Sequence, residues 1–211
     1  MVTDLYLIRH GQSVANVSPV VGGMRGDAGL TDLGRQQAGR LEEWLRAERF
    51  EAHVLYTSTL PRALETSEFV ARALDLPALD DDELQELRPG EADGLSHADW
   101  RAKYPSASDG SVPDPFELFS PGGESWATFL VRASAALSRL IARHEDERVV
   151  AVTHGGVVEA SFYLALGLGP TSVRTTFATA NTSITHWQHQ QTPTGHRAWR
   201  LVTFNDARHL D

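Results

Sequence analysis

The sequence of 211 residues contains no cysteine, and its 28 acidic residues outnumber its 19 basic ones, which gives a formal net charge of −9. The lack of cysteine excludes disulfide bonds, thiolate catalysis and cysteine-ligated metal sites. A deficit of basic residues argues against general binding of nucleic acid or of an anionic membrane. An anionic small molecule would therefore have to be bound by a locally basic pocket.

Long apolar runs are also lacking. No stretch approaches the roughly 20 apolar residues that a membrane-spanning helix needs, and the first four residues carry no basic segment of a secretory signal. We therefore expect a cytoplasmic protein without membrane or nucleic-acid partners. Hydrophobic residues still make up 41% of the chain, enough for a sizeable core, and we expect a single domain over residues 1–211. The sequence leaves open whether the chain forms a homodimer.

Short apolar runs alternate with segments of helical periodicity along most of the chain. This order predicts an α/β fold of three layers, with helices on both faces of a mainly parallel central sheet. Turn residues between the last two apolar runs indicate an antiparallel hairpin at the C-terminal edge. The predicted strands are 5–8, 54–56, 149–152, 184–187 and 198–204, and the predicted helices are 31–48, 61–74, 97–103, 126–144 and 157–168.

Several side chains receive specific placements from these patterns. Thr31 is expected to cap the first helix, and Leu33 to lie on its inner face. The hydroxyls of residues 57–59 are expected to cap the second helix, while Arg132 takes the outward side of the helix that starts near residue 126. Glycine-bearing residues 11–30 are predicted to be a loop, and residues 88–123 a lid or loop region. Five histidines are expected at the surface: His53, His97, His144, His196 and His209.

Polar side chains follow three of the predicted parallel strands. Arg9 and His10 come after the first, Ser58 with Arg62 one helical turn later after the second, and His154 after the third. Ligands of open α/β sheets bind outside the carboxyl ends of the strands, where helix N-termini also point. Two imidazoles and two guanidiniums at such an edge suit a dianionic phosphoryl group, because phosphoryl transfer depends mainly on charge stabilisation.

The same residues suggest a division of chemical roles. His10 is predicted to be the nucleophile, which requires a neutral ring with one nitrogen held by a hydrogen bond to a backbone carbonyl. Gly11 permits the close backbone approach that this contact needs. A leaving alkoxide requires a proton, and Glu86, in a loop after an apolar position, is the best candidate for the general acid.

Five ordered motifs resemble those of one family, the histidine phosphatase superfamily, also called phosphoglycerate mutase-like. The first is Arg9-His10-Gly11-Gln12-Ser13 with Asn16, and the others follow along nearly the whole chain. They are Leu30-Thr31 through Gly34 to Gln37-Ala38, Ser58-x-x-x-Arg62-Ala63-x-x-Thr66, Leu84-x-Glu86-Leu87-x-x-Gly90-x-x-x-Gly94, and Thr153-His154-Gly155-Gly156. Pro121-Gly122-Gly123-Glu124-Ser125 and Asn181-Thr182-Ser183 also fit the family pattern.

The resemblance implies a role for each matching residue. His10 would be phosphorylated, Arg9, Arg62 and His154 would complete the phosphate pocket, and Glu86 would be the acid. The further substrate-binding residues would be Gly11, Gln12, Asn16, Ser58 and Gly155. Neither a metal nor another cofactor is implied, and the substrate would be a small phosphorylated metabolite.

Two alternatives to a phosphatase stay open from the sequence. A cofactor-dependent mutase would return the phosphoryl group from His10 to another hydroxyl. Two departures from the family pattern favour a phosphatase: Ala92 replaces the tryptophan that is common after the acid motif, and the basic and proline-rich segments usual in such mutases are lacking. A non-catalytic phospholigand-binding protein would keep the pocket but has no need of a proton donor. The aromatic residues of the 88–126 region either line the substrate's non-phosphate part or form a cluster that holds the lid: Trp100, Phe116, Phe119 and Trp126.

Overall fold

A computed structural model describes residues 2–105, 114–170, 176–192 and 194–211 of the chain. Its centre is a six-stranded sheet with the order β3-β2-β4-β1-β5-β6. The first four strands of that order are parallel, and the last two pair antiparallel. This confirms the predicted sheet. The strands are β1 (Val2–Arg9), β2 (Val54–Thr57), β3 (Ala78–Asp80), β4 (Arg148–Thr153), β5 (Ile184–Gln191) and β6 (Arg197–Asp206).

Helices cover both faces of the sheet, which confirms the three-layer architecture. Leu41 and Leu45 pack with β1 and β2 on one face, while Phe129 and Leu137 pack with β1 and β4 on the other. Each fully buried side chain of this size stabilises the fold by about 1.5–3 kcal/mol. The helices are α1 (Val14–Val17), α2 (Asp32–Ala47), α3 (Pro61–Leu74), α4 (His97–Lys103), α5 (Trp126–Arg143) and α6 (Gly155–Leu166).

Helix starts follow local chemistry at some places and tertiary contacts at others. Thr31 caps α2 as predicted, because its hydroxyl accepts a hydrogen bond from the Gly34 amide. The predicted hydroxyl cap of α3 is wrong: its N-cap residue is Leu60, which makes no side-chain cap, and Pro61 occupies the first turn. Ser58 is instead hydrogen-bonded to a histidine of another strand end, as described below.

Five further features differ from the sequence predictions. Leu33 is 48% exposed, because it lies on the outer side of α2. Arg132 and His209 are buried rather than outward-facing, since each has polar partners inside the fold. The loop predicted over residues 11–30 contains the short helix α1, and β3 has no counterpart among the predicted strands.

The described part of the 88–123 region includes α4 and a turn of 3-10 helix over Gly90–Ala92. Residues 106–113 of that predicted lid lie outside the described residues. Among the helices of the described ranges, none is long and apolar enough to cross a membrane.

The sheet register brings three strand ends to one level. Arg9 of β1 is paired with Thr153 of β4, and Thr57 of β2 is paired with Val152. The main chain continues this alignment, since the His10 amide donates to the Thr153 carbonyl across 2.9 Å. The residues that follow these strands therefore meet at a single edge of the sheet.

Candidate active site

His10 lies directly after β1, with only 3% of its surface exposed. Its Nδ1 is 2.6 Å from the carbonyl oxygen of Gly11, and because a carbonyl only accepts, Nδ1 carries the ring proton. Burial, and secondarily the charge of Arg62, lowers the pKa of His10 well below its usual value. The ring is therefore neutral at pH 7, and Nε2 carries a lone pair and no proton, as a nucleophile requires.

Arg62, in the first turn of α3, lies against this nucleophilic nitrogen. Its Nε donates to Nε2 of His10 across 3.1 Å, and its Nη1 donates to the carbonyl oxygen of Gly22. On the other side Nη1 forms a 2.8 Å ion pair with Asp27, whose side chain is completely buried. The guanidinium is thus fixed beside His10, where it can bind a phosphoryl oxygen.

His154 follows β4 and is completely buried. The centroid of its ring is 5.1 Å from that of His10, and its Nε2 is 2.7 Å from the Ser58 hydroxyl. Burial, followed by the charge of Arg62, lowers the pKa of His154 well below its usual value. Two neutral imidazoles therefore lie side by side at the aligned strand ends.

Arg9 supplies the second positive charge. Its Nη1 donates to the carbonyl oxygen of Thr179, while its Nε is buried and, within the described ranges, has no hydrogen-bond partner. Burial lowers the pKa of Arg9, and the carboxylate of Glu86 acts in the opposite direction. An arginine stays protonated in proteins, so this half-buried guanidinium favours an anionic ligand.

Glu86 lies in the segment between β3 and α4 and lines the same cavity as Arg9, His10 and Arg62. Its two carboxylate oxygens accept backbone hydrogen bonds, Oε2 from Gly156 at 2.9 Å and Oε1 from Leu87 at 3.0 Å. The Gly156 amide belongs to the first turn of α6, which begins directly after His154. The carboxyl group is therefore held at the cavity by the start of that helix.

Arg132 of α5 supports the segment that carries Glu86. It donates to the carbonyl oxygens of Glu83, Gln85 and Glu86 over distances of 2.8 to 3.2 Å. Its remaining donors form a bidentate ion pair with Glu124, at 2.6 and 2.7 Å. A helical period predicts on which side of α5 a residue lies, but it does not show that the 83–86 segment folds back over that side.

A cavity of about 510 Å³ opens above the strand ends. Arg9, His10, Arg62 and Glu86 line it together with Gly155 and Gly156 at the start of α6. Asn16, Gly22 and His97 also line the cavity. The other lining residues are apolar: Ala15, Val20, Val21, Leu87, Pro89, Trp100, Phe119 and Trp126.

The remaining predicted site residues have different placements. Asn16 lies at the cavity, where its Oδ1 accepts a hydrogen bond from the Ser13 amide. Gln12 is turned toward the start of α2, because its Oε1 accepts from the Thr31 hydroxyl. Gly11 is buried, and its amide donates to the hydroxyl of Thr66.

Among the described residues, no group of three or more histidine or acidic side chains could hold a metal ion. Asp27 and Arg132 are the structural partners that the sequence predictions missed. An acidic residue within a glycine-bearing loop indicates a cationic partner, but nothing in the sequence specifies Arg62 as that partner. Each pairing depends on segments that meet only in the folded chain.

Known proteins are similar to this chain along nearly its whole length. A metal-independent phosphoserine phosphatase of Arabidopsis thaliana is 29% identical over 211 residues, which cover 99% of this chain and 84% of that protein. A probable phosphoglycerate mutase of Erwinia tasmaniensis is 30% identical over 216 residues, covering 99% of this chain and 95% of that protein. The structure of Bacillus stearothermophilus YhfR has a TM-score of 0.82 at 32% identity, covering 99% of this chain and 100% of that chain.

The model of the histidine phosphatase superfamily (branch 1) matches residues 5–207, which is nearly the entire chain. This match confirms the family that the Arg-His-Gly and Thr-His-Gly-Gly motifs imply. The chain belongs to the histidine phosphatase superfamily.

Proposed function

We propose that this protein is a metal-independent phosphomonoesterase that hydrolyses a small phosphorylated metabolite through a phosphohistidine on His10. One observation carries the proposal: Nδ1 of the neutral His10 ring is held by the Gly11 carbonyl, so Nε2 faces the guanidinium of Arg62 at the cavity. The similarity to a phosphatase along almost the whole chain supports the same chemistry.

In the first step Nε2 of His10 attacks phosphorus, and the bond from phosphorus to the ester oxygen breaks. Arg9 and Arg62 bind the phosphoryl oxygens and stabilise the negative charge that spreads over them in the transition state. A buried donor without a partner is costly, by about 1–3 kcal/mol, and a phosphoryl oxygen would satisfy Nε of Arg9.

Glu86 acts on the departing oxygen. Its carboxyl proton passes to the alkoxide as the ester bond breaks, so that the product leaves as a neutral alcohol. The backbone hydrogen bonds that Leu87 and Gly156 donate to the carboxyl oxygens stabilise the negative charge left on Glu86.

Water completes the cycle. Glu86 takes a proton from the attacking water, the oxygen adds to phosphorus, and the bond from phosphorus to Nε2 breaks. Inorganic phosphate leaves and His10 returns to its neutral form. A mutase would instead transfer the phosphoryl group to a second hydroxyl, so release of inorganic phosphate without a bisphosphate primer separates the two activities.

The test of the nucleophile compares wild type, His10→Ala and His196→Ala with p-nitrophenyl phosphate in the presence of a chelator. His196 is an exposed histidine in the hairpin and serves as the matched control. We expect phosphate release and an acid-labile, base-stable label from ³²P-ester in wild type and in the control, and neither in His10→Ala. Equal turnover in all three proteins, or no turnover in wild type, would contradict the mechanism.

The test of the acid uses Glu86→Gln with Glu91→Gln as its control, since Glu91 is an exposed carboxylate of the same segment. General acid catalysis contributes about 10²–10⁴-fold, and we expect that loss with alkyl phosphates. Aryl phosphates should be slowed far less, because a nitrophenolate leaves without a proton. Equal slowing of both ester classes would exclude Glu86 as the acid.

A further inference from the structure

The cavity lining contains both ionisable and apolar side chains. Arg9, Arg62 and Glu86 share the cavity with His10 and are assigned to the phosphoryl group and the leaving oxygen. The lining that remains for the rest of the substrate contains Asn16 and His97 but is otherwise mostly apolar, with Val20, Leu87 and three large aromatic residues. A phosphate ester bound at His10 therefore extends its alcohol part along these apolar side chains. We call them the apolar wall: Val20, Leu87, Trp100, Phe119 and Trp126.

The aromatic part of this wall is held in place by its own contacts. The rings of Trp100 and Phe119 stack at a centroid distance of 4.6 Å and an interplanar angle of 6°. The indole of Trp100 donates to the carbonyl oxygen of Phe119, which ties α4 to the segment before α5. Trp126 packs at 5.3 Å against Phe129 of the core. These contacts preorganise an apolar surface against which a ring can pack.

Two further arginines, Arg25 and Arg88, are bonded to other groups of the protein. Arg25 donates to the carbonyl oxygen of Gly90 and lies 3.8 Å from the Asp93 carboxylate. Arg88 donates to Gln85 and Glu83. Of the arginines and lysines in the described part of the chain, Arg9 and Arg62 line the cavity. A second anionic group on the substrate would therefore be desolvated against apolar side chains without a cation to pair with.

We infer that the preferred substrates are phosphate monoesters whose alcohol part is an uncharged apolar or aromatic group, not a carboxylate-bearing metabolite. This inference rests on the proposed phosphatase activity at His10. A cavity of about 510 Å³ is of the size that holds one small organic molecule, which limits the alcohol part to about a ring or two.

The test uses two esters that differ by a single carboxylate group. They are 2-phenylethyl phosphate and the same ester with a carboxylate in the para position of the ring. Both leave as primary alcohols of similar acidity, so the chemical step is matched. One methylene more or less in an apolar pocket changes kcat/KM by about 10–200-fold. Burial of an unpaired carboxylate is also unfavourable, so we expect kcat/KM to be at least about tenfold higher for the neutral ester. A carboxylate ester that is hydrolysed equally well or better would overturn the inference.

Variants of the wall test the location. Phe119→Ala is compared with Phe116→Ala, because Phe116 is 68% exposed and does not line the cavity. We expect Phe119→Ala to raise KM for 2-phenylethyl phosphate about tenfold with little change in KM for ethyl phosphate, whereas Phe116→Ala behaves as wild type. An equal effect on both esters, or none, would contradict a role of the wall in binding.

A gain of function supplies a test that does not depend on removing a side chain. Val20→Lys places a cation on the half-buried wall. It should narrow or reverse the preference for the neutral ester, and an unchanged ratio of the two kcat/KM values would contradict the inference.

Different experimental results would contradict the inference and the proposed function. If wild type hydrolyses p-nitrophenyl phosphate through His10 but prefers the carboxylate ester, or hydrolyses neither alkyl ester, the inference is wrong and the phosphatase stands. A preference for the carboxylate that disappears in His97→Gln would assign substrate recognition to that imidazole instead. No turnover of any of these esters would contradict the proposed function itself.

Discussion

Asp27 and Arg62 form a buried ion pair in which a carboxylate oxygen lies 2.8 Å from Nη1, with side-chain exposures of 0% and 5%. The other carboxylate oxygen of Asp27 accepts from the Gly29 amide, which anchors it within the glycine-bearing loop. Because Nε of Arg62 donates to Nε2 of His10, the pair determines where the guanidinium stands relative to the nucleophile. Asp27 is thus a positioning residue, since it acts on the reacting atoms through Arg62.

Replacement of Asp27 by asparagine should impair both stability and catalysis. Breaking a buried ion pair from one side leaves an uncompensated charge, and we expect unfolding in urea to show a loss of about 3 kcal/mol. A displacement of about 1 Å in the site can reduce rates by about 10²-fold, so kcat/KM should fall by a similar factor. Asp32→Asn is the control, because that carboxylate is 98% exposed. Wild-type kcat/KM in Asp27→Asn would exclude the positioning role.

Replacement of Arg132 by methionine should act through Glu86. The variant loses the donors to the carbonyl oxygens of the 83–86 segment, so the acid is no longer held in place at the cavity. We expect alkyl phosphates to be slowed at least about tenfold more than aryl phosphates, because only the former need a proton from the acid. Arg139→Met, an exposed site on the same helix, is the control. A uniform loss for both ester classes would indicate a purely structural role.

The buried histidines should make stability depend on pH. Burial lowers the pKa of both His10 and His154 well below the 6.5 of an exposed histidine. Below about pH 6.5 the unfolded chain binds protons that the folded chain excludes. Stability is therefore present in full above that pH and is lost as pH falls toward the folded-state pKa values, by about 1.4 kcal/mol per pH unit for each group.

The measurement is urea unfolding between pH 5 and pH 7.5 for wild type and His154→Asn. We expect the variant to show a slope of stability against pH that is shallower by about 1.4 kcal/mol per unit on the acid side of pH 6.5. The carboxylates are the same in both proteins, so their contribution cancels in the difference. Parallel curves would contradict a neutral, buried His154.

Two glycines of α2 should respond in opposite directions to alanine. A Cβ at Gly39 would meet nothing within 4 Å, so Gly39→Ala should raise stability by about 1 kcal/mol through helix propensity. A Cβ at Gly34 would overlap the carbonyl oxygen of Gln12, two residues after His10, so Gly34→Ala should destabilise by about 1–3 kcal/mol. Urea midpoints check both, and a shift of the same sign in the two variants would contradict the packing described here.

Local patterns predict most of the secondary structure because they act over a few residues. Apolar runs locate five of the six strands, and helical periodicity locates α2, α3, α4, α5 and α6. Where a local rule fails, a tertiary contact overrides it. The Ser58 hydroxyl bonds His154 instead of capping α3, and the Arg132 guanidinium is buried by the segment that folds across α5.

The sequence by itself determined the family, the order of strands and helices, and the identity of the polar residues that follow each strand, since all of these are written in contiguous motifs such as Arg9-His10-Gly11. Only the tertiary structure decided which partner each of those residues has. Asp27 meets Arg62 across 35 positions of sequence, and Arg132 reaches Glu86 across 46. Such pairings depend on how the sheet and its helices bring distant segments together, and no local pattern of residues contains that information.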